Sequence, residues 1–286
     1  MGMEVRMTMY APDEAAAHRA GTAAFAVIAG LDQRLSDYRD DSDLRAIERA
    51  APGPVTVVPE VFAVLKRAME VSAASDGAFD PTVAPVVALW RQSRASRTLP
   101  APEALAAARR LVGWSRVELD ESAMTVRLPE VGMRLDLGGI AKGYILQRAI
   151  DSLRSAGINS ALIEAGGDIV FYGARTWKAQ MSAECSVLGA GVRGAEVPGA
   201  AVLGAEGALS TSGASAQFVE IDGVRYSHVV DPRTGLGLTD HRTVHVRAAD
   251  GATADAWATA LGVIGPARAA QIAVPDGVSF CFQSRS

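Results

Sequence analysis

The sequence has little cysteine, little histidine and no concentrated block of basic charge, and each shortage removes a class of function. Its two cysteines, Cys185 and Cys281, stand far apart with no CxxC spacing. That fits neither a zinc site nor a disulfide framework. A single bridge is one reading, and two buried free thiols are the expectation. Lysine and arginine form no run, and the formal net charge is −4, so nucleic acid is not an expected partner. No stretch of about 18 apolar residues exists to span a membrane. The first residues lack the charged and apolar regions of a signal peptide, so the chain reads as cytoplasmic. "MGMEVR" opens like a myristoylation site, but Arg6 stands where Ser or Thr is needed.

What remains is an ordinary globular composition, 49% hydrophobic and 21% charged over 286 residues. This suits one domain over 1–286, built as a unit or as two intimate lobes. Residues 1–9 alternate as a half-buried strand, with Met1, Met3, Val5, Met7 and Met9 on one side. Helices are predicted over about 12–35, 59–75, 102–111, 140–156 and 253–265, with a last helix and strand closing the chain. Hairpins are predicted over 116–129 and, around Asp222-Gly223, over 217–231. "SALIEAGGDIVFYG" reads as two strands with a glycine bulge, 243–249 as a strand, and the Gly- and Ala-rich 186–208 as loop plus a weak strand. Strands and helices mix without strict alternation, so the fold class is α+β, with mixed sheets and helices.

Five stretches could carry chemistry. In "SDGAFDPTVAPVVALWR" (75–91), Pro81 holds Asp80 in a turn. That turn suits a flat polar ring, or else Asp80 or Thr82 caps a helix. "LDLGGIAKGY" (135–144) sets Asp136 at the end of an apolar strand, then Gly138 and Gly139, then Lys142 at a helix start. Glycines admit close approach and helix amides favour anions; the plain alternative is a solvated lysine. "EAGGD" (164–168) pairs two glycines. "LSTSGASAQF" (209–218) and "RYSHVVDPRTG" (225–235) hold Thr211, Ser212, Gly213 and a polar turn entered from His228. His18, His241 and His245 look like surface or strand positions. In "TADAWATAL" (253–261), Asp255 and Thr259 share one helix face, about 6 Å apart in rise. They offer two oxygens to a hard cation such as Mg2+. Otherwise Thr253 caps the helix and Asp255 complements its dipole.

Taken in order, these segments resemble the ApbE family, the FAD:protein FMN transferases. The resemblance runs through "MGMEVRMTMY", "LSDYRDDSDL", "DGAFDPTVAPVVALW", "LDLGGIAKGYILQRAIDSL", "EAGGDI", "TSG", "YSHVVDPRTG" and "TADAWATAL". It implies an enzyme that binds FAD and Mg2+, moves FMN to a Thr or Ser hydroxyl of a target protein and releases AMP. It implies that the FAD site lies between the two lobes. Met1, Tyr38, Ala78, Phe79 and Asp80 would line that site; Asp136, Lys142 and Val229 would touch the flavin nucleotide. Asp255 and Thr259 would bind metal, assisted by backbone oxygens at Gly139 and Ala258. The attacking hydroxyl needs a base; His228 is the candidate by motif and Asp136 the next. Two alternatives stay open: hydrolysis of FAD to FMN and AMP, and FAD binding without turnover.

The sequence departs from the family where Gln147 follows "KGYIL", a position that usually carries an acid, and in the stretch after Trp177. "SGASA" (212–216) looks like part of an acceptor motif, but Gln217 replaces its final hydroxyl residue. It reads as the family's own "TSG" element. Many relatives carry export leaders.

Overall fold

The computed structural model describes residues 2–180, 186–187, 200–213, 218–240 and 242–283. In chain order, β1 (Val5–Tyr10) leads to α1 (Glu14–Leu35), α2 (Asp43–Ala50), β2 (Pro54–Thr56), α3 (Pro59–Ala74), α4 (Ala84–Ser96) and α5 (Pro102–Arg110). A 3-10 turn at Trp114–Arg116 precedes β3 (Glu118–Asp120), β4 (Thr125–Arg127) and α6 (Ala141–Ser155). Then follow β5 (Ser160–Ala165), β6 (Asp168–Gln180), β7 (Ser186–Val187), β8 (Ala200–Gly213), β9 (Phe218–Ile221), β10 (Val224–Ser227), β11 (Val230–Asp231) and β12 (Leu236–Gly237). The chain closes with β13 (Thr243–Ala248), α7 (Gly251–Ile264), α8 (Pro266–Ala269) and β14 (Ser279–Gln283).

The fold is α+β. Its centre is an antiparallel seven-stranded sheet in the order β1-β5-β6-β8-β13-β14-β7. Helix α6 lies against β5 and β6, and α7 against β8 and β13; α1 packs behind α6, and α3 beside α7. Alternation along β5 sends Ala161, Ile163 and Ala165 into the main core beneath these helices. Leu162 faces the other way and packs with Phe171 and Leu209. A third cluster, Val86, Trp90, Ala108, Val219, Ile221 and Val230, joins α4 and α5 to the β9–β12 hairpins. Trp90 Nε1 ties that cluster to the Gly235 carbonyl at 2.8 Å.

Helix α7 is buried from Gly251 to Ile264 except at Thr253 and Thr259. A helix apolar nearly all round belongs inside a core. Its N-cap is Asp250, whose carboxylate accepts from Thr253 N at 2.9 Å, so Thr253 does not cap it. In β1, Val5, Met7 and Met9 turn inward as predicted, while Met3 is exposed and Met1 lies outside the described residues.

Several expectations change. The region read as loop with a weak strand ends in β8, a long central strand paired on both sides. Its pairing partners supply what its Gly- and Ala-rich composition does not. Thr211, Ser212 and Gly213 lie in that strand, opposite His245, Val244 and Thr243. Gly166 and Gly167, at φ +56° and +94°, form a tight hairpin turn between β5 and β6, not a bulge. Residues 133–137 join no sheet and 138–140 form a turn, so Asp136 ends no strand. Cys281 is disulfide-bonded, against the expectation of free thiols; Cys185, His241 and the 214–217 segment lie outside the described residues. No helix among the described residues is long and apolar enough to cross a membrane.

Candidate functional site

Two glycines bring α6 and α7 into backbone contact. A Cβ on Gly143 would stand 1.9 Å from the Gly251 carbonyl oxygen, and one on Gly251 would stand 2.2 Å from the Gly143 oxygen. Only hydrogen fits at either position. This crossing lets Asp255, one turn into α7, reach the start of α6. Its Oδ2 accepts from Gly143 N at 3.1 Å, and its Oδ1 accepts from Lys142 Nζ at 3.0 Å. Lys142 Nζ also donates to Asp168 Oδ2 at 2.5 Å, and Ser210 Oγ donates to Asp168 Oδ1. Lys142 is therefore no solvated lysine on a helix face. It points inward from α6 and links α7 to β6.

Charge in this cluster does not cancel. Two carboxylates share one ammonium, and both Asp168 and Asp255 are buried. Burial, and then the neighbouring Asp168, push Asp255 up to about 6 despite Lys142 and Gly143 N. Burial opposes the Lys142 ammonium, but Asp255 and Asp168 outweigh it and raise its pKa.

One turn further along α7, Thr259 reaches the glycine pair before α6. A Cβ on Gly139 would stand 2.7 Å from Thr259 Oγ1 and 3.2 Å from the Phe79 ring. Phe79, Gly139 and Thr259 thus meet at one point. Ala258 precedes Thr259, buried on the same helix. The donor set is all oxygen and carries surplus negative charge, which suits a hard cation. No group of three or more His, Cys, Asp or Glu suited to a metal occurs among the described residues, so side chains alone would not complete its shell.

Asp136 is held to the Asp80 turn through its backbone: Asp136 N donates to the Pro81 carbonyl at 2.7 Å. Its Oδ1 accepts from Gly138 N at 2.8 Å, and Oδ2 lies 3.8 Å from Arg91 Nη2. Arg91 also reaches Asp37 Oδ2 at 2.5 Å, and its guanidinium lies 4.3 Å from the centre of the Tyr38 ring. Tyr38 is 77% exposed, a ring backed by a cation on a corner beside Asp136. Burial, then Asp37, push the Asp136 carboxyl upward.

Asp80 is tied into its own turn. Oδ1 accepts from Thr82 N at 2.8 Å and Thr82 Oγ1 at 2.6 Å; Oδ2 accepts from Trp114 N at 3.1 Å. Neither Asp80 nor Thr82 caps α4, whose N-cap is Val83 without a side-chain bond. Ala78 and Phe79 are buried beside it. Gly77 and Asp80 share a cavity of about 620 Å3 with Arg109, Trp114, Pro232 and Arg233. The Asp231–Gly235 turn thereby adjoins the Asp80 turn. His228 is exposed between β10 and β11, and Val229 packs half-buried against the main core.

The expected amide cradle at the start of α6 is partly occupied by the protein itself. Gly143 N goes to Asp255, and Ala141 N donates to the Leu137 carbonyl at 2.8 Å. Asp168, within "EAGGD", and Arg91, at the end of "SDGAFDPTVAPVVALWR", carry no role that local sequence assigns. Asp168 follows a glycine turn directly, which is the one local sign that its position is tightly set.

The model of the ApbE family matches residues 1–282. A Treponema pallidum protein named FAD:protein FMN transferase is 34% identical over 278 residues, covering 93% of this chain and 77% of that protein. A Klebsiella pneumoniae protein of the same name is 33% identical, covering 93% of this chain and 80% of its own length. Among solved structures, the flavin transferase ApbE of Vibrio cholerae matches with a TM-score of 0.81 at 28% identity, over 100% of this chain and 94% of that one. The ApbE protein of Thermotoga maritima matches with a TM-score of 0.79 at 30% identity, over 92% and 84%. A match over residues 1–282 and relatives 33–34% identical over most of their length lead to one conclusion: the chain belongs to the ApbE family.

Proposed function

We propose that this protein is an FAD:protein FMN transferase that moves FMN from FAD to a Thr or Ser hydroxyl of a target protein and releases AMP, with Mg2+ required. The observation that carries this reading is the meeting of three stretches distant in sequence. Phe79, Gly139 and Thr259 touch; the Pro81 carbonyl holds Asp136 N; Asp255 holds the start of α6. The names of the relatives support transfer of FMN from FAD to a protein.

The residues divide the work. Tyr38 and the Ala78–Asp80 turn, with Met1 and Val229, would line FAD; Asp136 and Lys142 would contact its nucleotide. Asp255 and Thr259, with the backbone oxygens of Gly139 and Ala258, would hold Mg2+, whose chemistry there is to neutralise charge on the phosphate oxygens. His228 is exposed, so an incoming hydroxyl can approach it. It would take the proton as the acceptor oxygen bonds to the FMN phosphorus and the bond to AMP breaks.

The test is incubation with FAD and Mg2+, with and without a candidate acceptor protein. Protein-linked flavin fluorescence on a denaturing gel is the expected result. AMP without labelled protein would indicate hydrolysis, and bound FAD with neither product would indicate a carrier. His228→Asn should slow transfer by roughly 10²- to 10⁴-fold with FAD affinity unchanged. Near wild-type transfer by that variant would move the base to Asp136.

A further inference from the structure

In the cluster at the α6–α7 crossing, each carboxylate has one oxygen fixed by a rigid or neutral donor and one held by the lysine. Asp255 Oδ2 takes a backbone amide, Gly143 N, and Asp168 Oδ1 takes the Ser210 hydroxyl. The remaining oxygens, Asp255 Oδ1 and Asp168 Oδ2, both go to Lys142 Nζ. No other cation pairs with either acid among the described residues. A divalent ion on Asp255 and an ammonium on the same oxygen would stand a few ångströms apart at a buried site, where like charges are poorly screened. One of the two has to yield. The backbone amide cannot move, whereas a lysine on a flexible four-carbon stem can.

We propose that Lys142 is the resting counter-ion of the metal position: it neutralises Asp255 in the metal-free protein, releases that carboxylate when a divalent cation binds, and is retained beside the site by Asp168, which Ser210 orients. This rests on the reading that Asp255 and Thr259 bind the metal. Asp168 is then a positioning residue. Its anchor stays in place through the exchange, because β6 is a central strand and its partner Ser210 lies on the adjoining β8. The arrangement also explains why one lysine faces two acids: the second is the place it keeps when the first is taken.

The chain has three lysines, Lys66, Lys142 and Lys178, so the Cε–Nζ signals of lysine-labelled protein are few and Lys142→Gln assigns one of them. In wild type, Mg2+ should shift the Lys142 signal while leaving it ordered. In Asp168→Asn, Mg2+ should collapse it to the position of a free, solvated lysine. Calorimetry on FAD-free protein should show Mg2+ bound roughly tenfold more tightly by Lys142→Gln, since the competing cation is gone. Asp255→Asn should abolish Mg2+ binding and leave the lysine signal unmoved by Mg2+. Asp168→Asn keeps an oxygen for the Ser210 hydroxyl, so a native far-UV spectrum is expected even if Lys142→Gln folds poorly. Mg2+ binding that depends on Asp255 but neither shifts the Lys142 signal nor tightens in Lys142→Gln would overturn the exchange alone. Wild-type Mg2+ affinity in Asp255→Asn would overturn the metal assignment and the exchange with it. An ordered Lys142 signal in Mg2+-loaded Asp168→Asn would remove the role given to Asp168.

Discussion

Asp80 and Asp255 are both buried aspartates, at 7% and 3% exposure, yet they are stabilised in opposite ways. Asp80 is satisfied by neutral donors: the amide and hydroxyl of Thr82 and the amide of Trp114. Those donors knit one turn to the segment that follows α5. Asp255 is satisfied by one amide and by a shared ammonium brought from a different helix, beside another buried acid. The first arrangement closes on itself, so Asp80 fixes the shape of its turn and offers a ligand no unpaired charge. The second is short of positive charge: burial, and then Asp168, push the Asp255 carboxyl up to about 6, and a bound cation would balance it. Buried acids of the first kind hold a fold, and those of the second kind prepare a site.

The sharpest way to break this contrast is Asp255→Ala. If Asp255 holds Mg2+ as proposed, losing this charged oxygen removes several kcal/mol of transition-state stabilisation, which is roughly 10²- to 10⁴-fold in rate. The fold should survive, because the change also relieves the repulsion from Asp168 and leaves Lys142 with one partner. Flavin transfer measured at limiting Mg2+, beside a thermal melt, checks both halves. Wild-type turnover at limiting Mg2+ would show that Asp255 belongs with Asp80 as a structural acid.

Asp80→Ala should do the reverse and act mainly on stability. It strands three donors, two of them buried, each costing about 1–3 kcal/mol when left unpaired, with water recovering part of the loss. A drop of about 2–4 kcal/mol by chemical denaturation is expected. The pH dependence sharpens the point. Burial raises the Asp80 carboxyl above its ordinary range, outweighing its three donors. Between the ordinary value near 4 and that raised value, the folded protein binds the extra proton and the unfolded chain does not. Stability carried by this group therefore falls as pH rises through that window. Asp80→Asn should flatten that part of the profile; an unchanged slope in denaturation curves from pH 4 upward would assign it to other groups.

How much of this was legible in the sequence follows from how local each feature is. Helix α7 was legible because its apolar run is continuous, and the spacing of Asp255 and Thr259 placed them on one face. The ends of α1, α3 and α6 fell within a few residues for the same reason. Helix α2 was missed because its cap, Ser42, sits in a polar run of acids. Helix α4 was legible only as the helix that Asp80 or Thr82 would cap, and its N-cap is instead Val83, with no side-chain bond. Strand β8 was undervalued because its composition is weak and its stability comes from two neighbours. The Lys142–Asp168–Asp255 cluster joins residues 26 and 113 positions apart, and no local pattern encodes such contacts. The glycines that make it possible, Gly143 and Gly251, look like ordinary helix-end glycines until the two helices are seen to cross.

The smallest effect is expected at Gln147, which the family resemblance reads as standing in for an acid. Its Oε1 accepts from Gly251 N at 3.2 Å, at the first residue of α7, and its Nε2 donates to Asp151 Oδ1 at 3.2 Å. Gln147 is therefore a bracket between α6 and the start of the helix that carries Asp255. Gln147→Glu keeps the acceptor for Gly251 N and adds a negative charge at a helix N-terminus, which is worth about 0.3–1 kcal/mol. It also loses the donor to Asp151 and sets two acids at i and i+4, which costs about 0.2–0.5 kcal/mol beyond the lost bond. The terms nearly cancel, so a net change within about 0.5 kcal/mol is expected, as for most surface-type substitutions. Transfer rate should stay within about threefold, because the carboxylate would be spent on the helix end and would not face the substrate. A rise of tenfold or more on Gln147→Glu would show that the usual acid acts in the reaction, and that this chain's glutamine limits it. An unchanged rate with a native melt would place position 147 among the groups that hold the site in shape without taking part in it.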